Sequence, residues 1–222
     1  MKKTAFTLAE VLITLGIIGV VAAITIPGLI NNYKAARLRA AFLRSYSLIQ
    51  QAFKQMENDD VSVDPDDYAT RTFYKTFMTY FSGTTDCGYA GSSCSGLGGT
   101  TYKNLNNQSI TRCVSSKWNI FDDGQFILKD GTLIMLENAN RLWVHVDING
   151  YNNPPNKAGY DLFTFEFLDG ELRTMGSLDT EYYDSDNKYC DLESTASCNG
   201  LACAHLAKTD TEYFKTIVKK VK

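Results

Sequence analysis

Met1-Lys2-Lys3-Thr4-Ala5-Phe6-Thr7-Leu8-Ala9-Glu10-Val11-Leu12-Ile13-Thr14-Leu15-Gly16-Ile17-Ile18-Gly19-Val20-Val21-Ala22-Ala23-Ile24-Thr25-Ile26-Pro27-Gly28-Leu29-Ile30-Asn31-Asn32-Tyr33 opens the chain. From Val11 to Tyr33, 23 positions, there is no charged side chain. As a helix this run spans roughly 35 Å, enough to cross the hydrocarbon core of a bilayer. Lys2 and Lys3 precede it, while Lys34, Arg37 and Arg39 follow it, so charge on the two flanks does not fix an orientation. Three fates fit such a segment: a cleaved secretory signal with Val21-Ala22-Ala23 as its small-residue site, a plain single-span anchor, or a helix that loses only its short basic leader. Glu10 discriminates among them. A carboxylate in an apolar run costs about 2.5–3.5 kcal/mol at a helix centre and less near an end. The first two fates give it nothing to do.

The stretch Phe6-Thr7-Leu8-Ala9-Glu10-Val11-Leu12-Ile13-Thr14-Leu15 closely resembles the N-terminal signature of type IV pilins and type II secretion pseudopilins. The resemblance covers residues 1–57, about a quarter of the chain, and leader, Phe, Glu, apolar run and proline agree in register. It implies that a membrane prepilin peptidase cuts between Ala5 and Phe6 and methylates the new amine of Phe6. Ala5 stands where the family usually has glycine, and its side chain is still small. The resemblance also implies that Glu10 pairs with the Phe6 amine of a neighbouring subunit during assembly. Each charge is costly alone in lipid or in a helix bundle, so such a pair sets the axial register. Pro27 matches a proline common in these helices. The implied partners are like or related pilin subunits, the prepilin peptidase and an inner-membrane assembly machinery. The implied location is the bacterial cytoplasmic membrane, crossed once with the head outside, and then a filament or pseudopilus.

The helix need not end with the apolar run. Lys34 to Glu57 contains no Gly or Pro, and Leu38, Phe42, Ser45, Ile49, Ala52, Phe53 and Met56 recur at spacings of three and four. Arg37, Arg44, Gln51, Lys54 and Gln55 lie largely off that stripe, which is expected to pack on a globular head. Pro27-Gly28 is expected to bend the helix or melt a turn, and Asn58-Asp59-Asp60 to stop it. The chain therefore divides into a leader (1–5), a transmembrane and polymerisation helix (6–33), its amphipathic continuation (34–58) and a head (59–222).

The whole chain has 222 residues, 44% hydrophobic and 21% charged, with a net charge of −3. Residues 1–58 hold 7 of the 22 Lys and Arg but only 2 of the 25 Asp and Glu, so the head is acidic and offers no footprint for nucleic acid. The head reads as a connection, a short helix around 68–81, a Gly, Ser and Thr-rich loop over 82–101, and strands from Trp118 onward. Gln125–Lys129 and Thr132–Glu137 flank Asp130-Gly131, a two-residue hairpin signal. Residues 142–148 alternate, and 160–168 form an aromatic-rich strand ended by Asp169-Gly170. The expected class is α+β: a long N-terminal helix on a small antiparallel sheet, pilin-like, with disulfide-bearing loops.

All six cysteines, Cys87, Cys94, Cys113, Cys190, Cys198 and Cys203, lie in the head. In an oxidising compartment they make up to three disulfides, one within 87–113, one within 190–203 and one linking the groups. A zinc set of Cys190, Cys198, Cys203 and His205 lacks a Cys-x-x-Cys spacing and is the weaker reading. The run from Asp147 through Asn149, Gly150, Asn152, Asn153 and Asn156 to Asp161 carries hard oxygen ligands suited to calcium. Its register is not that of an EF-hand, and Asn and Asp bonding their own backbone is the favoured reading, so no cofactor is expected. No nucleophile or metalloprotease motif occurs, and His145 reads as a partly buried sheet residue, so the chain is not expected to be an enzyme. The leading function is a structural subunit of a pilus-like or pseudopilus filament. The alternative is a membrane-anchored extracytoplasmic binding protein that does not polymerise.

Overall fold

The computed structural model describes residues 7–89, 94, 102–110, 113, 119–138 and 141–221. Helix α1 runs unbroken from Leu8 to Asn58, 51 residues or about 77 Å. It continues through Pro27-Gly28, so no turn melts there, although Pro27 has no N–H for the Ala23 carbonyl. None of residues 8–34 is buried; Leu8 is 79% exposed and Leu29 70%. From Ala35 the character changes. Ala35, Leu38, Phe42, Ser45, Ile49, Ala52, Phe53 and Met56 are buried, the expected stripe extended by one turn. The stop is a left-handed cap. Asp60 has φ 54, the Asp60 N–H donates to the Glu57 carbonyl (3.3 Å), and the Val61 N–H donates to the Met56 carbonyl (2.9 Å).

A turn of 3-10 helix, Pro65–Asp67, and a single short helix, α2 (Phe73–Met78), follow; α2 is narrower than the helix expected over 68–81. Six strands then form one antiparallel sheet in chain order: β1 (Thr85–Gly88), β2 (Gly124–Ile127), β3 (Leu133–Glu137), β4 (Leu142–Asp147), β5 (Leu162–Leu168) and β6 (Glu171–Thr174). Two of these correct the sequence reading. β1 lies in the stretch expected to be loop, and β6 follows a turn expected to end the strands. The β5–β6 turn places Asp169 (φ 52) and Gly170 (φ 77) between the paired Leu168 and Glu171, as a primed two-residue turn requires. The β2–β3 turn has three residues rather than two. The Leu128 N–H donates to the Thr132 carbonyl (2.8 Å), the Gly131 N–H to the Leu128 carbonyl (2.9 Å), and Gly131 takes φ 91.

Helices α3 (Cys203–Thr209) and α4 (Tyr213–Lys220) complete the chain. One sheet face, with Phe126, Ile134, Leu136, Val144, Val146, Phe163 and Phe165, shares a core with the stripe of α1 and with Phe214 and Ile217 of α4. Phe42 anchors it, with ring centroids 4.8 Å from Phe163 and 5.9 Å from Phe214. The opposite face is buried too. Leu133, Met135, Trp143 and Leu162 pack under Tyr102, Ile110, Phe121, Met175, Tyr182 and Leu201, which come largely from irregular segments. Every residue of β4 is therefore buried, although its sequence alternates.

Candidate functional site

Three groups of residues stand out in the sequence: the N-terminal signature, the cysteines and the Asn and Asp run. Ala5 and Phe6 lie outside the described residues. Glu10 sits in the first turn of α1, exposed, and closes a capping box with Thr7. The Thr7 N–H and hydroxyl both donate to Glu10 Oε2 (2.8 Å each), and the Glu10 N–H donates to Thr7 Oγ1 (3.3 Å). Helix starts leave backbone N–H groups without partners, and this exchange satisfies two of them. Its signal in the sequence is Thr-x-x-Glu before an apolar run. Beyond the capping box, α1 runs through 23 residues, 11–33, that carry no charged side chain and of which none is buried. The helix is long and apolar enough to cross a membrane.

The cysteines pair as Cys87–Cys94, Cys113–Cys198 and Cys190–Cys203. This is one bond in each group and one between them. Cys190, Cys198 and Cys203 are thereby all consumed, which removes the zinc set.

The Asn and Asp run folds around two buried carboxylates. Asp147, at the end of β4, and Asp161, just before β5, are both fully buried. Asp147 accepts the Tyr102 hydroxyl (2.7 Å) and the N–H groups of Gly150 (2.9 Å) and Asn149 (3.3 Å). Asp161 accepts the N–H groups of Lys157 (2.6 Å) and Asn156 (3.0 Å) and, at 3.5 Å, the Asn149 amide. Gly150 must be glycine: its φ is +80, and a Cβ there would meet the Gly131 carbonyl oxygen at 2.4 Å. The side chains of Asn149 and Asn153 each donate to the other's carbonyl at 2.7 Å, and Asn156 Nδ2 donates to the Tyr151 carbonyl. This is the self-bonding loop favoured on sequence grounds. The donors satisfy both carboxylates from within the chain, while Asn149 Oδ1 and Asn156 Oδ1 are the oxygens left without a donor. A cation held here would draw on those two and on the Asp147 and Asp161 carboxylates. Burial pushes Asp147 up to about 6, and burial together with the Asp147 charge pushes Asp161 up to about 7.

His145 is fully buried rather than partly so, its Nδ1 2.9 Å from the Thr164 hydroxyl, and burial lowers it to about 3. It is a neutral sheet residue. Asp122, Asp123 and Glu137 converge near the start of β2, a cluster that their separation in sequence conceals. Arg71 spans it, 2.8 Å from Asp122 and 3.1 Å from Asp123.

Comparison with family models, with curated proteins and with solved structures finds no match for this chain.

Proposed function

We propose that this chain is a structural subunit of a type IV pilus-like or type II secretion pseudopilus filament, processed at Phe6 and assembled through its N-terminal helix. The observation that carries the reading is the build of α1. One continuous helix is bare and apolar over residues 8–33 and clamped to the head from Ala35 onward. An exposed apolar surface of this length demands lipid or other helices around it. The same bare helix serves both surroundings in turn: lipid before assembly, neighbouring subunits after it. The pattern around Ala5, Phe6 and Glu10 supports the filament over a plain anchor.

The capping box favours the second reading, an anchored extracytoplasmic binding protein. It gives Glu10 a use inside its own chain, so a carboxylate at that position no longer requires a neighbour. Processing separates the two. Terminal sequencing and mass measurement of the membrane-extracted protein should give a chain that starts at Phe6 and carries one added methyl group. A start at Ile24, or an intact leader from Met1, would overturn the filament reading.

A further inference from the structure

The head is acidic, yet cations gather where it meets the bare helix. Lys34 and Arg37 are exposed on the first turn of α1 that the head covers, on either side of buried Ala35. α4 packs along α1. Lys208 of α3 reaches Tyr46 (2.9 Å to the hydroxyl), Arg39 donates to the Thr211 carbonyl (3.1 Å), and Phe214 lies against Phe42. Ile217 and Val218 of α4, with Val221 just after it, enter the large core cluster that also holds Leu38 and Ala35. That burial turns Lys219 and Lys220 outward. Lys34, Arg37, Lys219 and Lys220 make no ion pair among the described residues, whereas Lys215 nearby is taken by Glu212 at 2.7 Å. Four cations on two packed elements are left without an ion pair, two of them on the turn of α1 where the 23 uncharged positions end.

We propose that Lys34, Arg37, Lys219 and Lys220 form a collar that binds the phosphate headgroups of anionic phospholipids in the leaflet on the head's side. The inference rests on the reading that residues 8–33 cross a membrane. A helix of that length places Lys34 at the edge of the hydrocarbon, within reach of phosphates. Long cationic side chains beside an apolar span reach the headgroup layer naturally. The acidic remainder of the head is repelled by the same surface, so the collar also orients the head, with α4 toward the lipid. It accounts for basic residues that stand on the opposite flank from Lys2 and Lys3: they serve as headgroup ligands rather than as an orientation signal.

The test uses the full chain in lipid nanodiscs, made either of phosphatidylcholine alone or of phosphatidylcholine mixed with phosphatidylglycerol. Bound lipid is counted by native mass spectrometry, and amide exchange is followed over α4. Selective retention of phosphatidylglycerol and slower exchange in the last turn of α4 are expected, both lost at high salt. Each of Lys34→Gln, Arg37→Gln, Lys219→Gln and Lys220→Gln should weaken retention by about fivefold. All four positions are exposed, so folding is checked simply by an unchanged count of disulfides. Equal retention of the two lipids, or retention indifferent to the fourfold variant, overturns the collar. So does equal protection of α4 by inorganic phosphate in neutral detergent micelles, which would mark an ion site unrelated to a membrane. A chain that stays out of the discs overturns the membrane-span reading as well. Entry without lipid preference overturns the collar alone.

Discussion

Asp147 and Asp161 show how far a single residue's chemistry can depart from what its identity suggests. Two acids fourteen positions apart, in a loop of asparagines, look like cation ligands or surface turns. The fold instead buries both and surrounds them with N–H and O–H donors. Their folded values lie above the ordinary carboxylate range, so the native state holds protons that the unfolded chain has released. Their contribution to stability is full below about pH 4 and is lost as pH rises through about 6 to 7. Unfolding stability should therefore fall between pH 5 and pH 8, by on the order of 4 kcal/mol for the pair, read as a falling urea midpoint. Replacing both by Asn should flatten that slope, and a midpoint that climbs with pH would contradict the assignment. Thr7 gives a second prediction at this scale. Thr7→Ala removes the hydroxyl that accepts from the Glu10 N–H and should cost the helix start about 1 kcal/mol, seen as faster amide exchange in the first turn. On the proposed filament function, Glu10→Ala should leave the head folded but lower the fraction of chain recovered in sheared or cross-linked filament relative to membrane. Undiminished incorporation would mean that the capping box is all that Glu10 does.

Among the elements, α1 was the most legible in sequence, because its two halves obey different rules that each leave a periodic mark. The apolar run and the three-and-four stripe from Leu38 to Met56 both appear where expected, and Asn58-Asp59-Asp60 ends the helix. The central strands were legible for the same reason. β1 and β6 were not: each is a short strand recruited at an edge of the sheet by a neighbour already in place. The burial of the sheet's second face was hidden more deeply. Tyr102, Phe121, Met175 and Leu201 cover it from segments with no period of their own, so no local pattern announces them. The packing of α1 can be tested at Phe42, which touches Phe163, Phe165 and Phe214 at once. Phe42→Ala should destabilise the head by about 3–5 kcal/mol, measured by denaturant melting. Leu15→Ala, on the bare half, should leave the head's melting unchanged.

At the level of the whole molecule, the disulfides tie irregular segments to β1, to α3 and to one another. Their grouping was legible from spacing, but their exact pairing was not, since six cysteines permit many arrangements until the fold brings particular ones together. Loop closure ranks them. Cys113–Cys198 closes a separation of 85 residues, against 13 for Cys190–Cys203 and 7 for Cys87–Cys94. Paired Cys→Ser variants should then lose about 4.6, 3.0 and 2.5 kcal/mol in that order. Native protein should show no alkylatable thiol before reduction. The strand order carries a consequence of a different kind. Each strand from β2 to β6 pairs with the one made just before it, so a chain delivered N-terminus first can build its sheet as it arrives. Three closures must wait until residues 198–221 have been made: the docking of α4 on α1 and the Cys113–Cys198 and Cys190–Cys203 bonds. Until then the stripe from Ala35 to Phe42 lacks the cover of α4, and a chaperone would have its clearest target there.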